Sequence, residues 1–453
     1  MATVVIDFYD SGILISDGNC ILVNSLSYAL IAANNSIIVG DLAEQQAYLR
    51  PREISTQFWG HLSANSKTQH VVSNAELAFK HLQFVWEQVC GQDYTVILAT
   101  PNTLSKQDLG LLLGICKKLS IPVQGIVSKA VLALQGPVAN SIIVYLDVLQ
   151  QQISITEIIQ KQESVSSSLI NTTSSHGLQS LTRHLATTIA EQFIAETRFD
   201  PMHIAEDEQQ FFDKLPLWLN ILTSNESVKC ILSSNKIDYS ITLHKELVLN
   251  LNYAAFSEIA ACILPLLKTQ DKDNITIICS QTCTQVFGFT NYLETLPGCA
   301  VIRMDKNNIA KQALQYIEQI EANDNQVHYT TSLILDQGIK PLPVQFNAGS
   351  LSSLNENPDH LLIDNHAYPI TPELFLEINN RGVLTIGNGC SDNSVCKISK
   401  QGLLIQVTNI NGRNINFNKE LLVSQKLASI GDHLSINENT GALYFIKLNE
   451  HET

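Results

Sequence analysis

The feature that most constrains this chain is a pattern that occurs twice: an apolar strand closes on an aspartate and a second strand follows at once. Val4 to Phe8, with Asp7, and Gly12 to Ser16 make the first copy; Ser141 to Leu149, with Asp147, and Gln152 to Ile158 make the second. In the first copy Asp17 and Gly18 supply the two positive-φ positions of a tight hairpin before Cys20 to Val23. Beyond that meander, strands alternate with helices. Ser73 and Glu76 have capping-box spacing ahead of an apolar face of Leu77, Leu82, Trp86 and Val89, and Tyr94 to Ala99 is a strand ending at Pro101. Ser105 opens a helix bearing Leu109, Leu112, Leu113 and Cys116, and Val123 to Val127 is strand-like again. Helices are expected around Leu181 to Thr197 and Ala255 to Leu267, then the apolar strand Ile275 to Cys279. Such alternation places the chain in the α/β class.

At 453 residues the chain exceeds one ordinary core, so two or three domains are expected. Beyond Tyr329 the periodicity breaks at Pro341, Pro343, Gly349 and Ser350 to Ser353, which marks a linker over 329–357 between a domain of 1–328 and one of 358–453. The last domain shows only short strands separated by turn residues: Gly382 to Ile386, Leu403 to Val407, Leu434 to Ile436 and Ala442 to Leu448.

The formal net charge is -15, and the sequence has no Lys/Arg cluster that would neutralise a run of phosphates. Nucleic acid and anionic membranes are therefore not expected partners, whereas a basic peptide or protein is. The N-terminus lacks the basic and apolar regions of a secretion signal, and no run of 18 uncharged apolar residues follows, so a cytoplasmic protein without membrane insertion is expected. Ten cysteines occur without a C-x-x-C pair; buried free thiols are expected, with metal or disulfide roles left open.

Residues 1 to about 325 resemble the DnaK-type chaperone ATPases of the actin-like superfamily. The resemblance rests on Asn24 to Ser27, on Ile38-Val39-Gly40-Asp41-Leu42-Ala43 with Pro51, on Leu98-Ala99-Thr100-Pro101 with Gln107, and on Ile121-Pro122-Val123 with Ala130 to Leu134. It implies a two-lobed fold that binds ATP or ADP with Mg²⁺ between two glycine-bearing hairpins, with strand-end aspartates holding the hydrated metal. Asp7 and Asp147 match those aspartates and are the expected metal ligands, with Ser11 beside the first hairpin; turn-capping is their other reading. The glycines are absent. Where the family has D-L-G-T-T the chain has Asp7-Phe8-Tyr9-Asp10-Ser11, and where it has D-L-G-G-G-T-F-D the chain has Asp147 to Ser154 with Leu149, Gln150 and Gln151 in the glycine positions. Its E-P falls on Ser128-Lys129 and its late G-G on Cys279-Ser280. These losses imply weak or absent phosphoryl transfer. Glu226, Lys229 and Ser233 match the family's E-R-A-K-x-x-L-S-S helix and strand against the adenosine; the alternative is a helix with Glu226 and Lys229 as a solvated i, i+3 pair.

From about His360 the chain resembles a forkhead-associated domain, an all-β sandwich that reads phosphothreonine, through Leu384-Thr385-Ile386-Gly387, the turn Asn411 to Ile415, Gly431-Asp432 and Leu443 to Ile446. The phosphate-binding arginine is replaced by Asn388, and Asp392 stands where a phosphate oxygen would sit, leaving Thr408 and Asn411. The resemblance implies a protein-binding surface on Asn388, Asp392, Thr408 and Asn411 rather than phosphothreonine recognition. Taken together these features lead to a binding or scaffold protein on a catalytically eroded fold, the alternative being an ATP-binding switch or chaperone-like protein. No Walker A, H-E-x-x-H, G-x-S-x-G or G-x-G-x-x-G motif points to other chemistry.

Overall fold

The computed structural model describes residues 2–34, 36–63, 72–89, 93–139, 141–161, 164–173, 176–263, 274–321, 327–335, 342, 344, 346, 358–363, 366–378, 384–387, 389–391, 393–401, 404–410, 412, 415–418, 420–422, 425–428, 430–435 and 442–447. They fall into two compact units, Met1–Asn252 with Ile275–Glu294 and Ala300–Gln345, and Tyr253–Asn274 with Thr295–Cys299 and Phe346–Thr453.

The first unit opens with β1 (Ala2–Tyr9), β2 (Gly12–Ser16), β3 (Ile21–Leu26), β4 (Ala29–Ile31), β5 (Ile37–Val39), α1 (Asp41–Glu44), β6 (Ile54–Ser55), α2 (Asn74–Glu87), β7 (Tyr94–Thr100), α3 (Lys106–Lys118), β8 (Val123–Ser128) and α4 (Lys129–Ala133). It continues with β9 (Ile142–Val148), β10 (Ile153–Lys161), β11 (Ser164–Thr173), α5 (Leu178–Thr197), α6 (Ala205–Ser224), β12 (Ser227–Ser234), β13 (Ile237–His244), β14 (Ile275–Cys279), β15 (Cys299–Arg303), β16 (Tyr329–Thr330) and β17 (Ser332–Ile334). Two six-stranded sheets share one plan. The orders are β16-β8-β7-β1-β2-β3 and β15-β14-β9-β10-β11-β17, so each has an antiparallel three-strand meander whose first strand pairs in parallel with a later one, β1 with β7 and β9 with β14.

Side-chain alternation sorts the strands between two cores. Val4, Ile6 and Phe8 of β1 pack with Leu77, Leu82 and Val85 of α2 and with Leu112 of α3. Val5 of β1 faces the other way, into a core shared with Ile143 and Tyr145 of β9 and with Ala130, Val131 and Ala133 of α4. Asp7 and Asp147 have the same parity as Val5 and Tyr145, so both carboxylates point toward that shared core, where α4 begins at Lys129. Helix starts follow the expected caps: Ser73 accepts the Glu76 N–H, and Ser105 and Asp108 form a reciprocal capping box.

The expected linker is corrected at its start. Tyr329–Thr330 pairs in parallel with β8, and Ser332–Ile334 pairs antiparallel with β11, so both are edge strands of the first unit, which runs to Gln345. Strands of two or three residues carry no readable alternation. The helix expected at Glu226 to Lys229 is corrected as well. Residues 227–234 form β12, with Val228, Cys230 and Leu232 buried and Lys229, Ile231 and Ser233 exposed, a period of two.

In the second unit, β18 (His360–Ile363), β19 (His366–Pro369), β20 (Glu373–Ile378), β21 (Leu384–Gly387), β22 (Ser394–Gln401), β23 (Leu404–Asn409), β24 (Asn416–Phe417), β25 (Glu420–Leu421), β26 (Gln425–Ala428), β27 (His433–Ser435) and β28 (Leu443–Ile446) form two sheets, β19-β18-β28-β27-β24-β25 and β21-β20-β22-β23-β26. Leu361, Leu434 and Phe445 of one sheet and Leu376, Ile398 and Val407 of the other share a single apolar core. No helix among the described residues is long and apolar enough to cross a membrane.

Candidate functional site

The two carboxylates that the repeat pairs in sequence are brought to a single point, and the group between them is Lys129. Its Nζ lies 3.1 Å from Asp7 Oδ1 and 3.6 Å from Asp147 Oδ2, and all three side chains are buried. The ammonium also donates to the Phe8 carbonyl at 3.4 Å and sits 4.0 Å from the centroid of the Tyr9 ring, a cation–π contact. Asp147 Oδ1 accepts the Thr282 hydroxyl at 3.0 Å, and the Tyr9 hydroxyl donates to Gln281 Oε1 at 3.4 Å.

Burial alone pulls a lysine toward the neutral form, but Asp147 and Asp7 outweigh it and leave the Lys129 pKa raised, so its charge persists. Burial pushes the Asp7 carboxyl up against the pull of Lys129, and drives the Tyr9 phenol well above its ordinary value. The free space bounded by Asp7, Tyr9, Lys129, Tyr145, Gln281 and Met304 is about 10 Å³, the room of one water. Tyr145 turns a buried hydroxyl toward this core with no hydrogen-bond partner among the described residues.

The turns that end β1 and β9 face each other across this point. Asp10 Oδ1 accepts the Gln150 N–H at 2.6 Å. The Leu149 and Gln150 carbonyls accept the N–H groups of Leu178 and Gln179 in the first turn of α5, at 2.9 and 3.0 Å. A Cβ on Gly177 would lie 2.2 Å from the Gln151 carbonyl carbon, so the bare glycine is what lets α5 approach the turn this closely. The Gln150 N–H and the Leu149 and Gln150 carbonyls are thus committed to the protein itself.

No family model matches this sequence, and no curated protein matches it.

A hydrated Mg²⁺ does not fit the residues at this point. It needs oxygen donors around it, whereas the space between the carboxylates is taken by a lysine that carries no lone pair when protonated. Among the described residues no cluster of three or more His, Cys, Asp or Glu side chains is arranged to hold a metal.

The other expected site residues lie elsewhere. Ser11 sits in the first turn, where its carbonyl accepts the Ser27 N–H at 2.9 Å, and it lines neither the space at Lys129 nor the pocket beside Asp10. Lys229 is on the exposed face of β12 opposite Thr242; Ser233 donates to Asp238 Oδ1 at 2.5 Å; and the Glu226 carbonyl accepts the Lys245 N–H. None of the three approaches Lys129. Thr408 lies in β23 between Lys397 of β22 and Gln425 of β26, while Asn388, Asp392 and Asn411 lie outside the described residues. Sequence reading missed Lys129 itself. Its trace in the sequence was a single charge heading the apolar run Ala130 to Leu134.

Proposed function

We propose that this chain is a non-catalytic protein-interaction scaffold, built on an eroded two-lobed actin/DnaK-type fold and carrying a forkhead-associated-like β module. One observation carries the reading: Lys129, closed over by Tyr9, fills the point between Asp7 and Asp147. A fixed internal ammonium supplies the charge neutralisation that a metal would otherwise bring, and the Gln150 N–H that could meet a phosphate is bonded to Asp10. Structure at this point then needs no ligand. The β module supplies a surface for a protein partner, and the charge of -15 favours a basic one.

Calorimetric titration with ATP and with ADP, each with Mg²⁺, tests this. No heat of binding is expected at millimolar nucleotide. Micromolar binding that disappears in Asp147→Ala would make the chain a nucleotide-dependent switch instead.

A further inference from the structure

We infer that the first unit carries a second site, separate from Lys129: the apolar pocket beside Asp10 binds an alkylammonium group. Phe8, Trp59, Leu62, Leu104, Leu112 and Leu149 wall this pocket, and its free space of about 20 Å³ is about twice that at Lys129. Asp10 is the one charged residue among the described residues that line it; no Lys, Arg or His does so.

A carboxylate only 8 % exposed is expected to meet a cation or a full set of donors. Asp10 meets two backbone donors, the Gln150 and Ser11 N–H groups, but no cation of its own. Oδ1 accepts the Gln150 N–H, and the nearest lysine, Lys129, is committed to Asp7 and Asp147. Oδ2 stands beside Gly60, where a Cβ would lie 3.5 Å away, an ordinary contact. Gly60 has no positive φ, so neither crowding nor backbone conformation requires a glycine there. At that position no side chain stands over Oδ2. Burial lifts the Asp10 carboxyl to about 7, a cost that a bound cation would relieve.

The aromatic wall suits the same ligand. The Trp59 indole N–H donates to His81 Nδ1 at 2.9 Å, which fixes the ring, and Phe8 lies 5.2 Å from it at 60°. Aromatic faces around one carboxylate attract an organic cation by cation–π and ionic terms together, and the leucines receive its methylenes. The space has room for about two water-sized groups, the ammonium head and the methylene next to it. A free small amine and the lysine side chain of a bound peptide both present that chemistry.

The test is a titration of the whole protein with n-butylammonium chloride, followed through the ¹H–¹⁵N indole signal of Trp59, assigned with Trp59→Phe. A saturable shift at millimolar concentration is expected, with n-butanol giving none and Asp10→Asn weakening binding at least about tenfold. Asparagine keeps an acceptor for Gln150 and removes a desolvated charge, so that variant folds, and its melting curve checks this. Nα-acetyl-lysine methylamide binding as well as n-butylammonium points to a partner's side chain as the source; binding of n-butylammonium alone points to a free amine. The inference is overturned if n-butanol titrates like the amine, if Asp10→Asn binds unchanged, or if neither amine shifts the signal up to about 100 mM.

Discussion

Lys129 shows how one side chain decides what a site can be. Two buried aspartates of equal parity on β1 and β9 would repel each other, and the ammonium between them turns that repulsion into two ion pairs. Buried pairs of this kind add little net stability over an apolar filling, but removing one partner leaves uncompensated charge behind. Lys129→Met, close in length and without charge, is therefore expected to lower unfolding free energy by about 3–5 kcal/mol. Adding Asp7→Asn and Asp147→Asn to it should recover much of the loss. Urea denaturation of the three proteins measures both steps; a Lys129→Met protein within about 1 kcal/mol of the parent would mean that the ammonium is not what holds the carboxylates. The Tyr9 ring, 4.0 Å from the ammonium, adds a cation–π contact to the two ion pairs.

At the scale of elements, the side wall of the Asp10 pocket is tied together by a histidine. His81 of α2 is fully buried. Its Nδ1 accepts from the Trp59 indole, which is only ever a donor, so the ring proton is on Nε2 and is donated to Ser25 Oγ of β3 at 2.9 Å. Burial lowers the His81 pKa to about 3. The native state therefore refuses a proton that the unfolded chain takes up near pH 6.5, so its contribution to stability is complete above that pH and falls as pH drops toward 3. Between pH 7 and pH 5 the loss is about 2 kcal/mol. His81→Gln is expected to be less stable at pH 7 but to lack this share of the decline, which denaturation at the two pH values reads directly. Equal declines in both proteins would show that His81 is protonated in the fold.

Elements also set how much the sequence disclosed. The two strand-ending aspartates were legible because an apolar run closing on a charge is unusual, and the caps at Ser73 and Ser105 because they act within four residues. Lys129 was not, since its partners are 122 residues earlier and 18 later and only the sheet plan brings them together. Residues 226–234 were misread because matching individual letters to a helix outweighed the alternation of Val228, Cys230 and Leu232.

At the scale of the whole molecule, each unit holds its own apolar core. The chain has a built-in way to read them apart. All three tryptophans, Trp59, Trp86 and Trp218, belong to the first unit, so their emission follows the unfolding of that unit. Phe445 of β28 is completely buried in the core that the two sheets of the second unit share, and Phe445→Ala is expected to cost about 3–5 kcal/mol there. In denaturant the transition followed by far-ultraviolet circular dichroism should split, its early phase carrying the loss of the β module, while the midpoint of tryptophan emission stays where it was. A midpoint that moves in step with the dichroism would mean that the two cores unfold as one cooperative body.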